Sequence, residues 1–270
     1  MNDQSRRIGL LAGLGEVPVY FADRAMHNGI RIVSVAFTDE IYSQLMPFVE
    51  RGYFIGLGKM GKIFQTFRDE GITDLVMLGK VDKSVIFRPE LFDLRALKVL
   101  KQLVTREDKT LLLAAIREME SEGFHVLDQR EILTELFPAE GQLTRRKPLN
   151  QEMEDIRFGL PIAKQLADME IGQTIVVKNK TVVAVEAIEG TDRALERGCE
   201  LSGGKCVVVK VSRTGQDYRY DVPGIGPRTL ELMAEGGASV LALEAGGIMV
   251  VDQPRVVGMA DRADIAMVCV

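Results

Sequence analysis

Residues 8–37 constrain the fold more than any other stretch of this chain. Ile8-Gly-Leu-Leu-Ala12 is a short, almost wholly apolar run, which predicts a strand buried on both faces, as strands of parallel sheets are. Gly13-Leu-Gly15 makes a tight turn, residues 18–28 carry a helical pattern closed by Gly29, and residues 30–37 form a second apolar run. Two buried strands joined by a helix make a βαβ unit, and that crossover forces the strands parallel.

The alternation continues along the chain. Residues 59–70 read as a helix stopped by Gly71, 74–78 as a strand ending at Gly79-Lys80, 91–101 and 109–122 as helices, and 124–127 as a short strand after Gly123. A Pro-bounded, aperiodic stretch at 137–149 contains Arg145-Arg146-Lys147 and is the natural linker. Beyond it come a helix at 151–169, a hairpin of 174–178 and 181–188 around Asn179-Lys180, and a helix at 192–198. A strand at 206–211, a helix at 229–235 and strands at 239–243, 247–251 and 265–269 follow. The predicted class is α/β: a Rossmann-like, mostly parallel sheet domain over residues 1–136 and a second, mixed α/β domain over 150–270 with more antiparallel character.

A net charge of -5 argues against nucleic acid as a partner, because neutralising many phosphates needs a basic excess. Three cysteines without a CxxC spacing fit a reducing compartment and no structural zinc. With only His27 and His125 present, chemistry is expected to rest on carboxylates. Arg6-Arg7 before the first apolar run mimics a signal peptide, but that run ends at Glu16 and leads straight into a helix, so it reads as a first strand. With no run of membrane-spanning length, a cytoplasmic protein is expected, at most attached to a membrane surface.

The densest polar stretch is Gln216-Asp-Tyr-Arg-Tyr-Asp-Val-Pro-Gly-Ile-Gly-Pro-Arg-Thr229, between the strand Val207-Val-Val-Lys-Val211 and a helix. A strand running into a stiff turn and then a helix is where α/β proteins hold ligands, since the first N–H groups of the helix lack partners. In an extended backbone Asp217, Arg219 and Asp221 share one face, a row that suits a phosphate ester with a metal ion; a solvated loop with a surface ion pair is the plainer alternative. Glu186, Glu189 and Asp192, around the strand break at Gly190, add hard oxygen ligands of the kind magnesium takes beside phosphate oxygens. Gly13-x-Gly15-x-x-Pro18 is an incomplete dinucleotide fingerprint, with proline in place of the third glycine. Gly79-Lys80 and Leu243-Glu-Ala-Gly-Gly247 are weaker ligand candidates, as plain turns carry the same pattern.

Together, Gly13-x-Gly15-x-x-Pro18, Leu78-Gly-Lys-Val81, Glu189-Gly-Thr-Asp192, the segment from Gly215 to Thr229, and Leu243-Glu-Ala-Gly246 resemble the UDP-2,3-diacylglucosamine pyrophosphatase family of lipid A biosynthesis. This is the type lacking calcineurin-like metallophosphoesterase motifs, and the resemblance is collinear from about residue 7 to the end. It implies a Rossmann-like first domain, a distinct second domain with substrate held between them, and hydrolysis of the sugar-nucleotide diphosphate to UMP and 2,3-diacylglucosamine 1-phosphate. It also implies a divalent cation such as Mg2+, a homodimer, and an acylated sugar-nucleotide substrate compatible with peripheral contact with the inner membrane. The family's essential aspartate maps onto Asp221, which is assigned to catalysis and metal binding, with Asp217, Asp192 and Glu189 as further metal ligands. Substrate contacts are expected from Gly13, Gly15, Pro18, Gly79, Lys80, Thr191, Lys210, Gln216, Arg219, Gly226, Thr229, Glu244, Ala245 and Gly246. Two positions depart from the family pattern, Arg213-Thr214 where Lys-Pro is expected and Lys83-Ser84 where Arg-Pro is frequent. An apolar trough for the acyl groups is expected from Leu230, Leu232, Met233, Val240, Leu241 and Leu243, and the 137–149 linker is the expected hinge. The rival readings are a non-catalytic sugar-nucleotide-binding regulator and an oxidoreductase, the latter disfavoured by Pro18.

Overall fold

The computed structural model describes residues 6–81, 88–101 and 108–270; Lys83 and Ser84 lie outside them. The chain divides into two compact units, Met1–Ile132 and Leu133–Val270.

In the first unit β1 (Arg7–Ala12), α1 (Val17–His27) and β2 (Arg31–Ala36) form the expected βαβ opening, with the strands parallel. Next come α2 (Asp39–Leu45), β3 (Arg51–Phe54), α3 (Met60–Asp69), β4 (Asp74–Leu78), α4 (Leu94–Lys101), α5 (Asp108–Ser121), β5 (His125–Val126) and α6 (Gln129–Ile132). The five-stranded sheet has the order β3-β2-β1-β4-β5 and every pairing is parallel. The apolar run of β1 lies at its centre, with Ile8, Leu10, Leu11 and Ala12 buried. The strand order reverses between β1 and β4, so the loops after these strands face the crevice where such sheets bind ligands. Residues 39–54, for which sequence periodicity names no element, form α2 and the edge strand β3. Thr38 starts that helix by accepting the Ile41 N–H on its hydroxyl, and no residue of β3 is fully buried, which removes the apolar signal.

The second unit comprises β6 (Gly141–Gln142), α7 (Asn150–Asp168), β7 (Thr174–Lys178), β8 (Thr181–Val185), α8 (Thr191–Ser202), β9 (Val207–Lys210) and β10 (Gly224–Ile225). It continues with α9 (Pro227–Glu235), β11 (Val240–Leu243), β12 (Met249–Val250), α10 (Gln253–Arg262) and β13 (Ala266–Cys269). Its main sheet runs β6-β13-β11-β9-β7-β8, parallel through β13, β11 and β9 and antiparallel elsewhere.

Period-two alternation divides the core between the two faces of this sheet. Val207, Val209 and Val211 pack with Ile156, Ala163 and Ala167 of α7. Val208, Leu241, Leu243 and Met267 pack on the other face with Leu195, Leu230, Met233, Val256 and Ala260 of α8, α9 and α10. A Cβ on Gly159 would lie 3.0 Å from Val177 and 3.1 Å from Val209, so glycine lets α7 sit close to the strands. Asn179 and Lys180 both take positive φ in the β7–β8 turn, and the buried Asp155 carboxylate accepts both of their backbone N–H groups. The stretch expected as a linker carries the edge strand β6 instead. Gly141 and Gln142 pair with Cys269 and Val268, the Thr144 hydroxyl accepts the Met267 N–H, and Arg146 pairs with Glu152.

Candidate active site

The parallel strands β9, β11 and β13 end at Lys210, Leu243 and Cys269, and the loops leaving β9 and β11 fold against each other there. A Cβ on Gly247 would meet the Ser212 hydroxyl at 3.1 Å, so that glycine allows the close approach. Tyr218 donates to the Gly247 carbonyl at 3.3 Å and packs edge-on against Phe137. Gly224 and Ile225 pair with Met249 and Val250, which returns the chain to Gly226 and Pro227 at the start of α9. Pro227 suits that position because its missing N–H would have no helical partner.

The segment 215–223 turns; it is not extended, so Asp217, Arg219 and Asp221 do not present the expected common face. Arg219 folds back on Asp217 through Nε–Oδ1 (2.9 Å) and Nη2–Oδ2 (2.7 Å), and this guanidinium holds the Asp217 carboxyl below the usual range. Asp221 sits at φ 48°, its carboxylate 68% exposed and 3.2 Å from Arg213 Nη2. Its carbonyl accepts from Gln216 Nε2 at 3.0 Å, while Gln216 Oε1 accepts from Arg213 Nε and Gln173 Nε2. Glu189 is paired with Arg197 at 2.5 Å and is held below the usual range by its own backbone N–H and by that arginine. Asp192 is exposed in the first turn of α8. Among the described residues no three His, Cys, Asp or Glu side chains gather as a metal-ligand set. Glu189, Asp192, Asp217 and Asp221 therefore do not form the preassembled four-carboxylate centre that spacing suggested.

Lys210 is buried, with Nζ 2.9 Å from Thr174 Oγ1, 3.1 Å from Thr191 Oγ1 and 3.9 Å from Glu186 Oε2. Burial pushes its pKa down, against the opposing pull of Glu186 and Asp192. Its ammonium ties α8 to β7 from inside the fold, and Glu186 receives the Thr191 hydroxyl at 2.7 Å. Glu244 accepts the Ser212 N–H and hydroxyl, each at 2.7 Å, and pairs with Lys164 at 2.6 Å. Ala245 and Gly246 donate backbone N–H groups to Val270 and Pro138, and Thr229 is buried in the first turn of α9. The six residues expected to line an acyl trough, Leu230, Leu232, Met233, Val240, Leu241 and Leu243, are all interior. Exposed apolar side chains instead flank the site at Met169, Ile171 and Ile188, on the adjoining loops before β7 and after β8.

In the first unit the loops after β1 and β4 are joined by reciprocal Leu14–Lys80 backbone hydrogen bonds of 2.7 Å. A Cβ on Gly13 would lie 2.4 Å from the Lys80 carbonyl oxygen, and Gly79 takes φ 85°. Gly15 has φ 110°, and Pro18 is buried in the first turn of α1. Beside these loops a cavity of about 240 Å3 is bounded by Gly13, Phe37, Thr38, Gly58, Lys59 and Lys80. Thr38, Lys59, Lys164, Ser212 and Arg213 are absent from the catalytic, metal and substrate contacts expected from sequence. Arg213 had one signal, its departure from the expected family pattern; Lys164 meets Glu244 across 80 residues, which no local pattern reports.

Residues 7–136 match the family model described as LpxI N-terminal domain, and residues 139–268 the one described as LpxI C-terminal domain. The UDP-2,3-diacylglucosamine pyrophosphatase LpxI of Caulobacter vibrioides is 34% identical over 269 residues, covering 95% of this chain and 94% of that protein. Among solved structures, glycinamide-RNase-transformylase T of Mycobacterium tuberculosis aligns at 15% identity and a TM-score of 0.25, over 68% of this chain and 44% of that one. The biotin carboxylase domain of Hydrogenobacter thermophilus 2-oxoglutarate carboxylase aligns at 13% identity and 0.27, over 74% and 42%. At these scores neither likeness bears on the fold or the chemistry. Two family models in order along the chain and a curated relative matched nearly end to end make this chain a member of the LpxI family.

Proposed function

We propose that this chain hydrolyses the diphosphate of UDP-2,3-diacylglucosamine to UMP and 2,3-diacylglucosamine 1-phosphate, with Asp221 as the central acid. The observation that carries this reading is the near full-length match to a relative named for that activity. The geometry around Asp221 agrees with it. Asp217, Glu189 and Asp221 each lie beside an arginine, but the Asp221 side chain is 68% exposed against 25% for each of the other two.

Diphosphate cleavage needs charge neutralisation at phosphoryl oxygens and a positioned water. Asp221 is suited to orient that water and accept its proton at a carboxylate oxygen. Arg213 places a planar cation beside it, and Asp217 fixes the orientation of Arg219 in the same turn. A Mg2+ ion bound with the substrate would be held by Asp221 together with diphosphate oxygens, and would supply further neutralisation of their charge. Exposed Met169, Ile171 and Ile188 offer apolar contact to acyl groups. No described helix is long and apolar enough to cross a membrane; a homodimer and peripheral membrane contact are checked by sedimentation and vesicle co-pelleting.

The test is UMP release from UDP-2,3-diacylglucosamine in the presence of Mg2+. Asp221→Ala is expected to bind substrate and to lose on the order of 1,000-fold or more in turnover. Near-normal turnover by a folded Asp221→Ala protein refutes the assignment. Binding without UMP release by the unaltered chain favours the regulator, and full activity in excess chelator removes the cation. Phosphorus NMR of products formed in oxygen-18 water identifies the phosphorus attacked.

A further inference from the structure

Ser212, Arg213 and Thr214 follow one another between β9 and the Asp221 turn, and each is held by a different set of partners. The Ser212 N–H and hydroxyl donate to Glu244, and its carbonyl accepts from Lys164 Nζ at 2.9 Å. The Thr214 N–H and hydroxyl donate to the two carboxylate oxygens of Asp168 at 2.7 and 2.8 Å. Lys164 and Asp168 stand four residues apart near the end of α7, hence on one face of that helix. The backbone on either side of Arg213 is thereby gripped from a single helix. Arg213 itself donates from Nε to Gln216 at 3.1 Å and reaches Asp221 at 3.2 Å, with Glu170 at 3.8 Å.

Asp168 and Thr214 are both exposed, and a contact between exposed groups contributes little to folding. It does restrict the backbone torsions that aim the Arg213 side chain. We propose that Asp168 is a positioning residue: by gripping Thr214 it aims the Arg213 guanidinium at the Asp221 carboxylate and so fixes the direction in which that acid points. The inference rests on Asp221 being the catalytic acid. Asp168 touches neither Asp221 nor any group assigned to substrate, so it acts only through Thr214 and Arg213.

The test is a double-mutant cycle on UMP release with Asp168→Ala, Arg213→Ala and the combination, alongside Thr214→Val, Thr214→Ser and Asp221→Ala. Asp168→Ala is expected to lower kcat about tenfold with KM and the amide protection of β9 nearly unchanged, since small misplacement of reacting groups acts on kcat. In the Arg213→Ala background the same change is expected to have less than about a twofold further effect. Thr214→Val, which removes the hydroxyl bond to Asp168 but keeps the backbone N–H bond, is expected to show part of the Asp168→Ala loss, and Thr214→Ser none of it. Multiplicative losses from Asp168→Ala and Arg213→Ala, or a kcat loss that tracks the folded fraction, overturn the proposal. Normal kcat in Asp168→Ala with Asp221→Ala inactive overturns this inference alone, whereas an active Asp221→Ala protein overturns the functional reading beneath it.

Discussion

Glu244→Ala tests whether the β9 and β11 loops are held by one carboxylate. The side chain is 29% exposed, receives two hydrogen bonds from Ser212 and an ion pair from Lys164, and bridges residues 32 and 80 positions away. Hydrogen bonds to a charged group contribute about 1.5–3 kcal/mol each, and an orphaned buried N–H costs about 1–3 kcal/mol. Lys164 regains water on losing its partner, so its share is small. Because the Ser212 hydroxyl can rotate to another acceptor, the net loss is expected to be about 2–4 kcal/mol. The two-unit chain is unsuited to a single melting curve, so the readout is amide hydrogen exchange of Val208 and Val209 in β9 and of Leu241 and Leu243 in β11. That loss corresponds to protection falling roughly 30-fold to nearly 1,000-fold at these sites. Glu244→Gln, which keeps an acceptor for Ser212 and loses the ion pair, is expected to fall by less than about tenfold. Unchanged protection in Glu244→Ala would show that the loops are held by packing alone and refute the reasoning.

Gly13→Ala places a Cβ 2.4 Å from a backbone oxygen that cannot rotate away, so the Leu14 and Lys80 amides should lose protection, at a cost of about 1–3 kcal/mol. Gly56→Ala, where nothing lies within 4 Å, is the control expected to leave them unchanged. Asp155→Ala strips the acceptor from both positive-φ residues of the β7–β8 turn and is expected to destabilise the second unit by about 2–4 kcal/mol, with Asp155→Asn losing less; unchanged amide protection of Val176 and Val177 in β7 counts against it. Burial alone would raise the Glu244 carboxyl, but Lys164 and Ser212 outweigh it and hold it below its ordinary 4.5, as Arg219 holds Asp217 below 3.8. Carboxyls lowered in the folded state contribute stability that is fully present above those ordinary values and lost as pH falls through the folded ones. Protection in the second unit should therefore be level from neutral pH to about 5 and fall below about 4.5, less steeply in Glu244→Gln; a fall beginning near pH 6 would exclude these groups as its cause.

The fold was legible where apolar periodicity is local and strong. The β1–α1–β2 opening, the β7–β8 hairpin at Asn179 and Lys180, and the strands β9, β11 and β13 all announce themselves through short apolar runs. The edge strands β3 and β6 escaped because exposure removes that pattern. Gly141 and Gln142 look like linker residues until Val268 and Cys269 supply the other half of the ladder.

The chemistry divides along the same line. That residues 216–229 hold a dense set of acids and cations follows from residue type, whereas the family rests on the resemblance of several motifs and on matches along the whole chain. Which arginine each acid meets was decided by the turn that folds Arg219 onto Asp217 and brings Arg213 to Asp221. Lys210 is expected from sequence among the substrate contacts, and long-range packing sets its burial between Thr174 and Thr191. Residue identity sets which charges a chain possesses; only long-range packing sets their distances and their access to water, and electrostatic energies depend on both.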